Sequence, residues 1–406
     1  MDSGVGDSAA PNDGGATYPI RYVMVLVKEN HTFDSLFGAF PGANGMLTAT
    51  LSDGGTLARP TMPPGPLVGN PAHFHTDALT AYNDGGMNGF DLVAQPLPSD
   101  GGAPDPLLPF RYYSKAEIPN YYALASRYAL CDAFFTTILS DSFPAYLSLI
   151  AAQSPAYDDP PGVVWACDAP AGVTVPTFDP STCATSSAPP CFSIPSIVDN
   201  LPPGVTWRSY TDQYGTGPLA SPFDAIAGLH AKGTSANTRL NTALLADLAA
   251  GDLANITYVW GGNDSEHPPQ DVCPGENDTV AIATALMHGP HWNESALIVT
   301  YDDWGGFYDH VAPTVSPCPN GGGPFNTGFR VPTLLISPWA RSGLVFHTPT
   351  EQASIPRLIE DLFGLPRMSS TPGSTARDGT AGDLLGAFDF GQSPSAGLVL
   401  QQRTCP

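Results

Sequence analysis

The sequence predicts an α/β fold: a three-layer α/β/α sandwich around a mostly parallel sheet. Three observations predict it. Near-continuous apolar runs at 22–27, 256–260, 296–301 and 331–337 read as strands covered on both faces. Helical patterns separate the later runs, so strand and helix alternate through the second half. Acidic and polar clusters stand just past two of the strands, where an open sheet forms its ligand crevice.

The elements follow in order. Residues 1–18 are small and acidic and cannot bury a core; they read as a flexible leader left after removal of an export signal. A single domain is expected over 19–406. Strand 22–27 leads into a Gly/Pro-rich stretch from 38 to about 110. Residues 121–136 show helical spacing with a short extended end. A turn at 140–144 opens a helix over 143–152, with Pro144 tolerated in its first turn. A loop-rich insertion lies near 155–195. Helix 241–251, stopped by Gly251, precedes strand 256–260. Helix 280–288, strands 296–301 and 331–337, and helix 354–363 before Gly364-Leu365-Pro366 complete the pattern.

Composition excludes some partners. Fifteen basic against 38 acidic residues give a net charge of −23, which disfavours nucleic acid. No hydrophobic run approaches the length of an integral membrane segment. Seven cysteines without CxxC spacing argue against zinc knuckles or a redox dithiol. Their placement in loops suits disulfides and export (periplasmic, extracellular or surface-tethered), with Cys167–Cys191 and Cys273–Cys318 as the expected pairs. The odd count leaves at least one thiol free or paired between chains. Oligomeric state is not legible.

The chemistry concentrates in a few residues. Glu29 and Asn30 follow the first strand and offer a carboxylate and a carbonyl oxygen to a hard cation. Capping of a strand end by polar residues is an equally good reading of that pair alone. Asp302 and Asp303 follow strand 296–301; adjacent carboxylates repel unless a cation or hydrogen bonds hold them. His73, His267 and His310 stand in loops beside these strands, suited to anion binding or to general acid work. Ser142, at a helix N-terminus, is either a nucleophile or a plain capping serine. No Gly-x-Ser-x-Gly elbow surrounds it, so acyl transfer is unsupported, whereas a serine beside a hard cation suits phosphoryl transfer.

These residues resemble a known family. The segment from Val27 through Lys28, Glu29, Asn30, His31, Thr32, Phe33 and Asp34 to Gly38 is similar to the opening motif of the bacterial and fungal phosphoesterases. That group includes non-haemolytic phospholipases C and metal-dependent acid phosphatases, within the alkaline phosphatase superfamily. Similar stretches fall in family order at 83–90, 129–135, 301–311, 330–339 and 358–366. The resemblance implies Glu29, Asn30, Asp302 and Asp303 as metal ligands, together with Ser142 as ligand and nucleophile. It implies substrate-phosphate contacts for His73, His267 and His310, with His75 and Asn88 as further substrate-binding positions. It departs from the family where Pro144-Ala145-Tyr146 replaces Pro-Asn-Arg and where Met87-Asn88-Gly89 replaces Met-Asp-Gly.

The resulting expectation is hydrolysis of phosphoric esters through a phosphoserine intermediate, acid-phosphatase-like with broad specificity. One divalent or trivalent ion is expected, with calcium, magnesium, manganese, iron and zinc all open. Substrates would be small phosphate esters or, in a phospholipase C-type alternative, phospholipid head groups. A sulfatase of the same superfamily fits less well, since Ser142-Phe143-Pro144-Ala145-Tyr146 lacks the arginine of the sulfatase motif. A non-enzymatic exported cation-binding protein is the alternative from another class.

Overall fold

The computed structural model describes residues 18–95, 103–162, 164–179, 182–212, 221–314 and 327–406. Along the first half come β1 (Tyr22–Lys28), α1 (Phe33–Phe37), β2 (Thr48–Thr50), β3 (Thr56–Ala58), α2 (His75–Tyr82), α3 (Pro119–Arg127), β4 (Ala129–Cys131), β5 (Phe134–Phe135) and α4 (Ser142–Ala151). Next are β6 (Val175–Phe178), β7 (Thr185–Ala188), β8 (Trp207–Thr211), α5 (Ala227–Lys232), β9 (Thr238–Leu240), α6 (Leu244–Ala250) and β10 (Ile256–Trp260). The chain continues with α7 (Val272–Met287), β11 (Ser295–Tyr301), β12 (Thr333–Ile336), β13 (Val345–Phe346), β14 (Thr350–Glu351) and α8 (Ser354–Phe363).

Eight strands form one sheet in the order β13-β4-β12-β11-β1-β10-β8-β9. All neighbours are parallel except β12, which runs antiparallel to both β11 and β4. β1 lies at the centre between β10 and β11, and every residue of β10 and β11 is buried. Strands buried on both faces are predominantly apolar, as these are. The register pairs Lys28 with Tyr301, so Glu29 and Asp302 leave the sheet side by side. The amide of Asp302 donates to the Lys28 carbonyl and extends that pairing by one step.

Several expected boundaries move, each for a local reason. Strand 256–260 and helix 354–363 stand where the pattern put them. The segment 121–136 is helical only as far as Arg127 and then runs extended through β4 and β5, with Ala129, Leu130 and Cys131 wholly buried in the sheet. Helix 241–251 opens with a 3-10 turn before α6 and stops at Gly251. α7 starts at Val272 and not at 280, because the Asp271 side chain caps the Cys273 amide and Pro274 falls within the first turn. The insertion near 155–195 carries the β6–β7 hairpin. The expected leader lies almost wholly outside the described residues.

One disulfide expectation holds and one fails. Cys167 pairs with Cys191, but Cys273 pairs with Cys405, not Cys318. The C-terminal strand of chain folds back over α7, where Arg403 meets Glu276 at 2.6 Å and brings Cys405 to the helix start. Cys318 lies outside the described residues, and Cys183 is also disulfide-bonded. Cys131 is the free cysteine among the described residues; burial in β4 pushes its thiol far above the usual range. No helix among the described residues is long and apolar enough to cross a membrane.

Candidate active site

The site is built where β1, β10 and β11 end. Past β1, Asn30 takes a left-handed backbone (φ 64°), a conformation asparagine tolerates better than most residues. Its amide donates to Asp302 Oδ1 at 3.0 Å. The same oxygen accepts the Asp303 amide at 2.7 Å. Gly305 then turns back with φ 57°; a Cβ there would lie 2.2 Å from the Asn30 carbonyl oxygen, so only glycine lets the two loops close.

Ser142 is the first residue of α4, and its hydroxyl donates to Asp303 Oδ2 at 3.0 Å. Asp159 supplies the cap that α4 needs, accepting the Phe143 amide at 2.7 Å. Ser142 therefore does not serve as the helix cap and directs its side chain across the crevice. Tyr146, one turn along α4, donates its hydroxyl to Glu29 Oε1 at 2.7 Å. This tyrosine stands where the family pattern has an arginine and holds the Glu29 carboxylate instead.

The electrostatics are those of crowded, buried acids, answered in part by His267. Burial raises the Glu29 carboxyl to about 7, against the opposing pull of His267 and with a further push from Asp302. Burial also raises Asp302, and burial together with Asp302 holds Asp303 well above the usual carboxylate range. Asp159 is pushed up to about 7 by burial. Two oxygens, Asn30 Oδ1 and Asp302 Oδ2, are buried and meet no donor. An unsatisfied carboxylate oxygen and an unsatisfied carbonyl oxygen, flanked by two more carboxylates, make an oxygen donor set for a hard cation.

His73 explains why Asn30 presents oxygen. Its Nδ1 lies 2.8 Å from the Pro71 carbonyl, and its Nε2 lies 3.0 Å from Asn30 Nδ2. With the proton on Nδ1, Nε2 accepts from the amide NH2 and leaves Oδ1 as the unpartnered atom. Burial keeps this ring neutral, its pKa lowered to about 4.

A cavity of about 360 Å³ opens beside these groups, lined among others by Glu29, His73, Ser142, Asp159, Trp165 and His267. Of the histidines expected to contact substrate, His73 and His267 lie on this cavity. His310 lies elsewhere: its Nδ1 is 2.6 Å from Asp34 Oδ2 and its Nε2 is 3.2 Å from Asn44 Oδ1. His75 begins α2 with its Nδ1 at 2.6 Å from the Leu139 carbonyl, and Asn88 accepts from Asn83 at 2.8 Å. Neither lines the cavity.

Asp34, Asp309 and His310 form a second grouping whose ligand atoms lie within 4.8 Å of one another. Arg330 already fills it: Nε meets Asp309 Oδ1 at 2.9 Å and an Nη meets Asp34 Oδ1 at 3.2 Å. A buried guanidinium balances the carboxylates there, whereas Asn30 Oδ1 and Asp302 Oδ2 in the Glu29–Asp302 crevice meet no donor. Sequence reasoning missed Asp159 and Trp165. The Asp158-Asp159 pair in a Pro-rich loop was the available signal, and only folding brings it against the first turn of α4.

A family model described as the phosphoesterase family matches residues 20–366. The chain belongs to the phosphoesterase family. Relatives of this phosphoesterase include phospholipase C A of Mycobacterium tuberculosis, 30% identical over 96% of this chain and 80% of that protein. The non-hemolytic phospholipase C of Pseudomonas aeruginosa is 27% identical over 91% of this chain and 57% of that protein. Among solved structures, a Vibrio parahaemolyticus protein described as in the alkaline phosphatase superfamily aligns with TM-score 0.38 at 9% identity, covering 85% of this chain and 67% of that one. Family membership makes the protein a phosphoric ester hydrolase and removes the non-enzymatic alternative.

Proposed function

We propose that this phosphoesterase cleaves its ester through a phosphoserine intermediate on Ser142, with one metal ion held by Glu29, Asn30, Asp302, Asp303 and Ser142. The single observation that carries the reading is the Ser142 hydroxyl donating to Asp303 inside a ring of acids that leaves Asp302 Oδ2 and Asn30 Oδ1 unpartnered. When bound, the ion supplies charge neutralisation for the acids and lowers the cost of an anionic serine oxygen.

The chain's own residues do the rest. Ser142 Oγ forms the bond to phosphorus while its proton passes to Asp303 Oδ2, the atom it already faces. The ester P–O bond breaks in line, and His267 gives the leaving oxygen a proton. His267 is the candidate donor because it lies on the cavity with Ser142, whereas His310 is engaged with Asp34. Water then attacks phosphorus and passes its proton to His267 as the P–Oγ bond breaks, and Asp303 returns its proton to Ser142 Oγ. Tyr146 fixes Glu29, and His73 fixes the face of Asn30.

Two substrate classes fit this chemistry. The first is acid-phosphatase-like action on small monoesters. The names of the relatives favour the second, phospholipase C-type cleavage of phospholipid head groups. Turnover of p-nitrophenyl phosphate, p-nitrophenyl phosphorylcholine and phospholipid vesicles, each with and without added metal, separates them. Metal-dependent turnover of the diesters alone selects the phospholipase reading. No metal-dependent turnover of any would overturn the proposal. Export fits the disulfides and is part of the same reading.

A further inference from the structure

Three residues that stand directly before site residues meet in the buried interior. Lys28 precedes Glu29, Glu266 precedes His267, and Tyr301 precedes Asp302. All three are buried at 2% exposure or less. The Glu266 carboxylate is their common partner. Tyr301 donates to its Oε2 at 2.5 Å, and Tyr121 of α3 donates to Oε1 at 2.5 Å. Lys28 Nζ lies 3.6 Å from Oε1 and also donates to the carbonyls of Gly261 and Asp264, in the loop that carries His267. Thr279 of α7 completes the network through the Tyr121 hydroxyl at 3.0 Å.

Two further features show that the fold is built around this side chain. Glu266 holds φ 71°, a left-handed backbone that a glutamate adopts only when its surroundings demand it. Its Cγ passes over α7 at Gly275, where a Cβ would lie 2.1 Å from it; a glycine inside the helix gives the glutamate its passage. A helix interior rarely accepts glycine without such a reason.

We infer that Glu266 is a positioning residue that sets His267 against Ser142 by tying the β1, β10 and β11 loop ends into one unit. The inference rests on the reading of His267 as the group that serves the substrate phosphate. Glu266→Gln keeps the shape, but its amide NH2 cannot accept from a tyrosine and it leaves Lys28 without a counter-charge. A displacement near 1 Å at a catalytic group costs on the order of 100-fold.

The test is a double-mutant cycle of Glu266→Gln and His267→Ala, with kcat and KM measured per folded molecule. Glu266→Gln alone should lower kcat about tenfold to 100-fold with KM changed less than about threefold. In the His267→Ala background it should cost less than about twofold more, because its effect passes through His267. Tyr121→Phe, which removes one donor from α3, should show the same non-additivity at smaller size and serves if the glutamine variant folds poorly. Additive losses, or a lowered melting temperature with unchanged kcat, would overturn the positioning role while leaving His267 in place. Full activity of His267→Ala alone would instead overturn the reading of His267, and this inference with it.

Discussion

Ser142 Oγ stands 3.0 Å from Asp303 Oδ2, joining the first turn of α4 to the end of β11 across 161 positions of sequence. Neither residue needs the other for its secondary structure, since Asp159 caps α4 and the Gly305 amide donates to Asp303 Oδ1 in the turn after β11. The contact is therefore a feature of the site rather than of the fold. Ser142→Ala should fold, retain metal by elemental analysis, and lose kcat by a factor on the order of 10³ or more. Full turnover by the alanine variant would remove Ser142 from the chemistry.

Asp302 shares its work between its two oxygens. Oδ1 holds the backbone amides of Asn30 and Asp303, while Oδ2 meets no donor. Asp302→Asn can keep the first role and loses the charge of the second. Metal affinity should fall at least as far as the roughly 10–100-fold seen when an outer partner of a ligand is lost. Titration with a metal-buffered chelator reads this directly, and an unchanged affinity would place the ion elsewhere.

The metal-free protein should have an unusual pH dependence. Glu29 and Asp159, both raised to about 7 by burial, keep protons in the folded chain between pH 5 and 7 that the unfolded chain has already released. Folded-state proton binding then exceeds unfolded-state binding, so the stability contribution is present at low pH and is lost as pH rises through about 7. Chelator-treated protein should melt at a lower temperature at pH 7.5 than at pH 5.5, and added metal should close the gap. Identical melting at both pH values without metal would contradict the crowded-acid description.

Much of the centre was legible because it lies in unbroken local patterns. A buried strand followed at once by Glu29-Asn30, and another followed by Asp302-Asp303, place four candidate ligands at one edge once the strands are neighbours. Ser142 was legible from its turn and from family order. The histidines were less so: a loop residue carries no periodicity, and whether it meets the cavity depends on contacts made far away in sequence. Thus His310 is drawn to Asp34, 276 positions earlier, and His75 to the Leu139 carbonyl. The Cys273 pairing failed for the same reason. Loop cysteines offer no register, and the return of the C-terminal segment over α7 is set by Arg403 and Glu276.

Arg330 tests the second acidic cluster. Its guanidinium is fully buried against Asp34 and Asp309, so Arg330→Met leaves two buried carboxylates without their directly paired cation, with His310 and the nearby Arg59 remaining. Removing one member of a buried ion pair costs about 3–5 kcal/mol. Urea unfolding should show that loss with or without added metal. If added metal restored the variant to wild-type stability, the Asp34–Asp309–His310 grouping would be a cation site in its own right.

The most direct test of the central claim is to trap the covalent intermediate. Enzyme turning over p-nitrophenyl phosphate or p-nitrophenyl phosphorylcholine is quenched in acid, digested and examined by mass spectrometry. The account predicts a phosphoryl or phosphoester adduct on the peptide containing Ser142, localised to its hydroxyl and absent from the alanine variant. An adduct on another residue, or single-turnover product formation with Ser142 replaced, would contradict it.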